Sequence, residues 1–140
     1  MKVLLPVDGS KHTKKMLAYL TTHEGLLGPD PEFIVLNVQP PIPSRAARAV
    51  GKEIVESYHH AESEAVLAPV CKFLDRKGMT YKARTTVGHA ADEILKAAKK
   101  DNVDLIIMGS RGHGTLASLL IGSVAQKVMV NADRPVMIIH

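Results

Sequence analysis

Residues 104–127 read DLIIMGSRGHGTLASLLIGSVAQK. An apolar run suited to a strand leads straight into a loop containing Gly109, Gly112 and Gly114, and a fourth glycine, Gly122, then interrupts what reads as an apolar helix. A glycine inside a helix costs about 1 kcal/mol relative to alanine. Gly122 is therefore either a plain helix break or a point where the backbone must approach something that no side chain would allow. If a helix starts afresh at Ser123, its first N–H groups form an anion site, with Ser123 as its cap or as a phosphate donor. The preceding glycines would let backbone N–H groups turn inward around an anion, with Arg111 adding a charge-assisted donor. A flexible turn with a surface arginine is the simpler alternative.

Outward from this stretch, four more β-rich runs appear: VLLPV (3–7), FIVLNV (33–38), TYKARTTV (80–87) and PVMIIH (135–140). They alternate with helical patterns, which predicts a parallel sheet with helices on both faces. Four of the five strands are apolar nearly throughout, as strands covered on both sides should be. The run 80–87 alternates with polar residues and is expected at an edge.

The spacing of Ala91, Ile94, Leu95 and Ala98 predicts a helix over 89–100, with Asp92 and Glu93 in its first turn and Lys96, Lys99 and Lys100 toward its end, as the helix dipole favours. Over 53–77, Ile54, Tyr58, Ala61, Ala65 and Ala68 fall on one helical face, Gly78 ends the pattern, and Pro69 should kink or divide it. A first helix is expected to begin near Ser10 as N-cap and to bury Met16, Leu17 and Leu20. GLLGPDPE (25–32) and QPPIPSR (39–45) read as irregular connections.

At 140 residues, with 46% hydrophobic and 23% charged residues, the chain suits one globular domain spanning 1–140. Its apolar runs are too short for a membrane span, and the N-terminus lacks a signal-peptide pattern. The single cysteine, Cys71, reads as a small hydrophobe on a helix and fits a reducing, cytoplasmic setting. A net charge of +4 invites a nucleic-acid reading, but the basic residues are scattered and aromatics make up only 4%, so neither a nucleic acid nor a membrane is an expected partner.

Two familiar phosphate motifs fail here. Gly109 to Gly114 has P-loop spacing, but Thr115 stands where the lysine belongs. Gly112, Gly114 and Ala117 mimic a dinucleotide fingerprint, yet no following strand ends in an acid to hold a ribose. The seven histidines form no metal-ligand pattern, His59 and His60 being adjacent and His113 a loop residue. No G-x-S-x-G elbow marks a nucleophile, and no catalytic residue is assigned.

The pattern that fits is G-x2-G-x9-G-[ST], written by Gly109, Gly112, Gly122 and Ser123. With PVDGS after the first strand, LNV in the second, TTVGHAADEIL, DLIIMGSRGHG, IGSVAQKV and RPVMII, the chain resembles the ATP-binding branch of the universal stress protein family over its whole length. The resemblance implies an α/β fold, a Rossmann-like three-layer αβα sandwich on a five-stranded parallel sheet of order 3-2-1-4-5. It also implies a homodimer paired through the C-terminal strand, Val136 to His140, and a bound adenine nucleotide: ATP, ADP or AMP, with Mg²⁺ carried on the phosphates. Pro6, Val7 and Asp8 would line the adenine and ribose, Val38 would offer backbone contacts to the adenine edge, and Met108 would pack nearby. Gly109, Arg111 and Gly112 would hold ribose and phosphate, and Gly122, Ser123 and Val124 the phosphates.

Read from the residues alone, Asp8 ends the first strand where an open α/β sheet binds its ligand. It could accept from a ribose hydroxyl or join a Mg²⁺ shell, or it could form an Asx turn with Gly9, and the two roles are compatible. Three functions follow: a stress-responsive nucleotide sensor in the cytosol, a slow ATPase or phosphotransferase using the same pocket, and a nucleotide-independent interaction dimer. Phosphoryl transfer needs a positioned base, for which Asp8 is the sole candidate, and this favours binding over turnover.

Overall fold

The structure, a computed structural model, describes residues 1–112 and 121–140. Five parallel strands form one sheet: β1 (Lys2–Pro6), β2 (Glu32–Gln39), β3 (Tyr81–Val87), β4 (Leu105–Gly109) and β5 (Val136–Ile139), in the order β3-β2-β1-β4-β5. The expected strands and their order are all present, with the polar β3 at an edge. Between them lie α1 (Lys11–Thr22), a 3-10 turn (Glu24–Leu27), α2 (Ser44–Val50), α3 (Lys52–Arg76), α4 (Ala90–Lys100) and α5 (Ser123–Asn131).

Alternation along the central strands sorts their side chains to two faces, because successive residues of a strand point to opposite sides. Val3 and Leu5 of β1 and Ile107 of β4 join Met16, Leu17, Leu67, Val70 and Leu74 of α1 and α3 in one core. Leu4, Ile106 and Met108 join Ile94, Ala98 and Val128 of α4 and α5 in the other. Buried on both faces, the central strands need the continuous apolar runs that their sequence has.

Ser10 caps α1 as expected, its hydroxyl accepting from His12 N, and Met16, Leu17 and Leu20 are buried. α4 buries Ala91, Ile94, Ala97 and Ala98. Arg134 closes the other end of α4, with Nη1 donating to Ala98 O and Val103 O at 2.8 Å each.

Of the two outcomes open for Pro69, a kink or a division of α3, the division does not occur: the helix runs unbroken over Lys52–Arg76. Its ring displaces the hydrogen bond to Ala65, four residues back, and both residues face solvent, where water can take up the released carbonyl. α3 does depart from expectation in its buried face, formed by Ser63, Leu67, Val70 and Leu74, while Ile54, Tyr58, Ala61, Ala65 and Ala68 are exposed. Cys71 is half-buried against the first core. The stretch 39–45 is less irregular than its prolines suggest, since Gln39 belongs to β2 and Ser44 opens α2. Among the described residues no helix is long and apolar enough to cross a membrane.

Candidate functional site

β1 ends at Pro6, opposite Leu36, while β2 continues to Gln39, opposite Val87 of β3. On its other side β1 pairs with β4, so the topology reverses between these two strands, the place where open α/β sheets open a crevice. A cleft of about 600 Å³ lies there, within the usual size of small-molecule sites. It is lined at the sheet by Pro6, Val7, Asp8, Val38, Met108 and Gly109, and further out by Arg111, Gly112, Gly122, Ser123 and Val124. All eleven residues singled out in the sequence are thus brought to one cavity. His113, Gly114, Thr115 and Ala117 lie outside the described residues.

Asp8 makes the Asx turn: Ser10 N donates to its Oδ1 at 2.9 Å, and Thr13 Oγ1 donates to the same oxygen at 3.0 Å. Thr13 Oγ1 in turn accepts from Asp8 N at 3.1 Å. Oδ1 therefore fastens the carboxylate to the start of α1, while Oδ2 faces the glycine loop: a Cβ added to Gly112 would collide with it. Gly109 has a different reason to be glycine. A Cβ there would lie 2.8 Å from His12 Cβ and 3.2 Å from the His12 backbone, so the first turn of α1 packs directly on the end of β4.

Gly122 proves to be the N-cap of α5, with φ −74° and ψ 164°, an extended backbone open to any residue. The helix does start afresh at Ser123, but the cap is Gly122 itself, which has no side chain to offer. Its N–H donates to Ser110 O at 2.7 Å, and Ser110 N donates to Ile139 O at 2.9 Å, so this cap is fixed to the end of the sheet. α4 also begins at the cleft, and its N-cap His89 makes no side-chain capping bond. Two helix N-termini without side-chain caps therefore border the cavity, each bringing partial positive charge. Across its rim Lys127 Nζ meets Asp92 Oδ1 at 2.9 Å, holding the Asp92 carboxyl below its ordinary range.

Beneath the loop lies His12, 4% exposed, with no hydrogen-bond partner for Nδ1 among the described residues. Burial lowers its pKa from the ordinary 6.5, helped by the charges of Arg111, Lys15 and Lys11 and opposed by Asp8. A folded-state value below the unfolded one means that the unfolded chain binds more protons as pH falls, so the native state is stabilised above the unfolded pKa and loses that contribution below it. Thermal melts between pH 7.5 and 5 are expected to show this loss setting in near the ordinary histidine value, and His12→Gln to flatten that part of the profile.

The cleft also has lining that the sequence reading missed. Asn37, 2% exposed, donates from Nδ2 to Val7 O at 2.9 Å and accepts from Gln39 Nε2 at 2.8 Å. A lone amide within the apolar run FIVLNV was the available signal. Tyr58, Glu62 and Val66, spaced by four residues on α3, form a wall of the cleft: Tyr58 and Glu62 are exposed on it, while Val66 also packs against the first core. No sequence pattern separates those two directions.

The universal stress protein family model matches residues 1–140. The chain belongs to that family. A universal stress protein of Thermus aquaticus is 30% identical over 139 residues, covering 99% of this chain and 97% of its own. Among solved structures, universal stress protein MJ0577 of Methanocaldococcus jannaschii superposes with a TM-score of 0.79 at 28% identity, covering 99% of this chain and 94% of that one. A universal stress protein family protein of Arabidopsis thaliana, solved with AMP bound, gives 0.70 at 21% identity, covering 99% and 90%. As a universal stress protein, the chain shares the Rossmann-like parallel sheet with these structures.

Proposed function

We propose that this universal stress protein binds an adenine nucleotide, ATP as its Mg²⁺ complex, in the cleft between β1 and β4, and acts as a cytosolic regulatory homodimer. The observation that carries the reading is the meeting of Asp8, Arg111 and the N-terminus of α5 in one cavity at the switch point. A ribose and phosphates match that donor set: a carboxylate for hydroxyls, and a guanidinium with helix N–H groups for anionic oxygens. The apolar Pro6, Val38 and Met108 would flank the base. The AMP carried by the Arabidopsis relative agrees with this class of ligand.

Among the described residues no group of three His, Cys, Asp or Glu could hold a metal ion. Mg²⁺ would be held by the phosphates and water, with Asp8 as the carboxylate beside them, a usual arrangement for this ion. Bound there, it would neutralise phosphate charge beside Arg111.

The test is to strip purified protein of nucleotide by denaturation and refolding, identify what is released, and titrate the refolded chain with Mg·ATP by calorimetry. Saturable binding of one nucleotide per chain is expected. No heat up to about millimolar concentration, where binding is worth about 4 kcal/mol, would overturn the reading.

For the dimer, Pro135 O and Ile139 O accept from Ile106 N and Ser110 N of the β4 side. Alternation along the strand then turns the backbone groups of Val136 and Ile138 outward, to the open edge of the sheet. Ile138→Pro removes an outward N–H and spares the ladder to β4. It is expected to convert dimer to monomer in size-exclusion chromatography with light scattering. A dimer that persists would place the interface elsewhere.

A further inference from the structure

We infer that Gln39 selects the base: a chain of amides running from Val7 through Asn37 fixes its carboxamide so that the cleft takes a 6-aminopurine in preference to a 6-oxopurine. The inference rests on the nucleotide reading above and assigns a residue that the reading leaves out.

The direction of the chain is set at its buried end. A backbone carbonyl can only accept, so the Asn37 group 2.9 Å from Val7 O must be the NH₂ group. Asn37 Oδ1 is then committed to the other side, where it can only accept, and Gln39 must turn its own NH₂ toward it, at 2.8 Å. Rotating the Gln39 amide by half a turn would set oxygen against oxygen. The Gln39 backbone is pinned as well, since its carbonyl accepts from Gly88 N at 3.0 Å. What is left of the carboxamide, Oε1 and the second Nε2 hydrogen, belongs to a residue that lines the cleft next to Val38.

A carboxamide reads adenine by accepting from the exocyclic amine and donating to the neighbouring ring nitrogen. A glutamine free to rotate would serve a 6-oxopurine equally well by exchanging its two ends. With its orientation fixed from Val7, Gln39 presents an acceptor where a 6-oxo group would place another acceptor. An unpaired buried acceptor is costly, which is how a polar site rejects an analogue of nearly identical shape. Asn37 acts here as a positioning residue.

The experiment is calorimetry of the full chain with Mg·ATP and Mg·ITP, which differ in the 6-substituent and in the proton on N1. The wild-type chain is expected to prefer ATP by about tenfold or more. Gln39→Leu, a change at a half-exposed site, should bring the two affinities to within about threefold, mainly by weakening ATP. Asn37→Ala frees the glutamine to rotate and should narrow the ratio by strengthening ITP, a result that mere loss of structure would not give. If the wild type binds both equally, or Gln39→Leu keeps the wild-type ratio, the inference is overturned while the nucleotide reading stands. If neither nucleotide binds the wild type, the nucleotide reading falls and takes this inference with it.

Discussion

Gly112→Ala is expected to weaken nucleotide binding by about one to two orders of magnitude while leaving the melting temperature nearly unchanged. The backbone at Gly112 is not left-handed, so alanine is conformationally allowed there, and the whole effect comes from what the new methyl group meets. It meets Asp8 Oδ2. Asp8 cannot simply turn away, because its other oxygen accepts from Ser10 N and Thr13 Oγ1 at the start of α1. The glycine loop must retreat instead, carrying Arg111 with it. Displacing the Arg111 donor from the ligand removes a charged hydrogen bond worth about 1.5–3 kcal/mol, or about one to two orders of magnitude in affinity. Calorimetry alongside a thermal melt separates the cases. Unchanged affinity would mean that Asp8 and the loop do not act on a common ligand, whereas a large fall in melting temperature would assign Gly112 to stability.

Phe33→Ala is expected to cost about 3–5 kcal/mol of folding stability, enough to threaten a domain whose whole margin is of the order of 5–15 kcal/mol. Phe33 is 2% exposed on β2, inside the core shared with Leu5, Leu67 and Leu74. β2 is an interior strand between β1 and β3, so the cavity cannot collapse by moving an edge. The informative control is Ile54→Ala. Sequence periodicity puts Ile54 on the apolar face of α3, yet it is 59% exposed, and its loss should change stability by less than about 0.5 kcal/mol. Urea denaturation of the pair distinguishes the observed packing from the face that the sequence suggests. Equal costs would mean that Ile54 is buried in solution.

These two predictions mark where the sequence is legible and where it is not. The strands could be read because burial on both faces demands uninterrupted apolar runs, and Leu4 and Leu5, adjacent but facing different cores, are both required to be apolar. The order of the strands came with the family resemblance. α3 could be read as a helix but not oriented: alanines favour helix whether or not they are buried, so Ala61, Ala65 and Ala68 trace a stripe without a core behind it. α2 went unread because it buries no side chain, leaving no periodicity to find.

The cleft shows the same division. Asp8, Gly109, Gly112 and Gly122 were legible because glycine and aspartate at such positions carry backbone consequences, whereas Pro6, Val7, Val38, Met108 and Val124 came with the family resemblance. Gly109 was legible as part of the glycine loop, but that its missing side chain also makes room for His12 was not. Asn37, Gln39, Tyr58 and Glu62 reach the cavity only through tertiary placement. For the amide pair, the bond to Val7 joins positions thirty residues apart.

The placement of α3 has a consequence for motion. Its first buried residue is Ser63, and α2 before it buries none, so roughly the leading half of the helix rests on little apolar contact. Backbone amides over 52–62 should exchange with deuterium through local fraying, while those over 63–76 should require opening of much of the core. Tyr58 and Glu62, the outer wall of the cleft, stand on the fast-exchanging half. The cavity thus has one wall that can part from the rest at small energetic cost, and a ligand filling it would register first as slowed exchange along that half of α3.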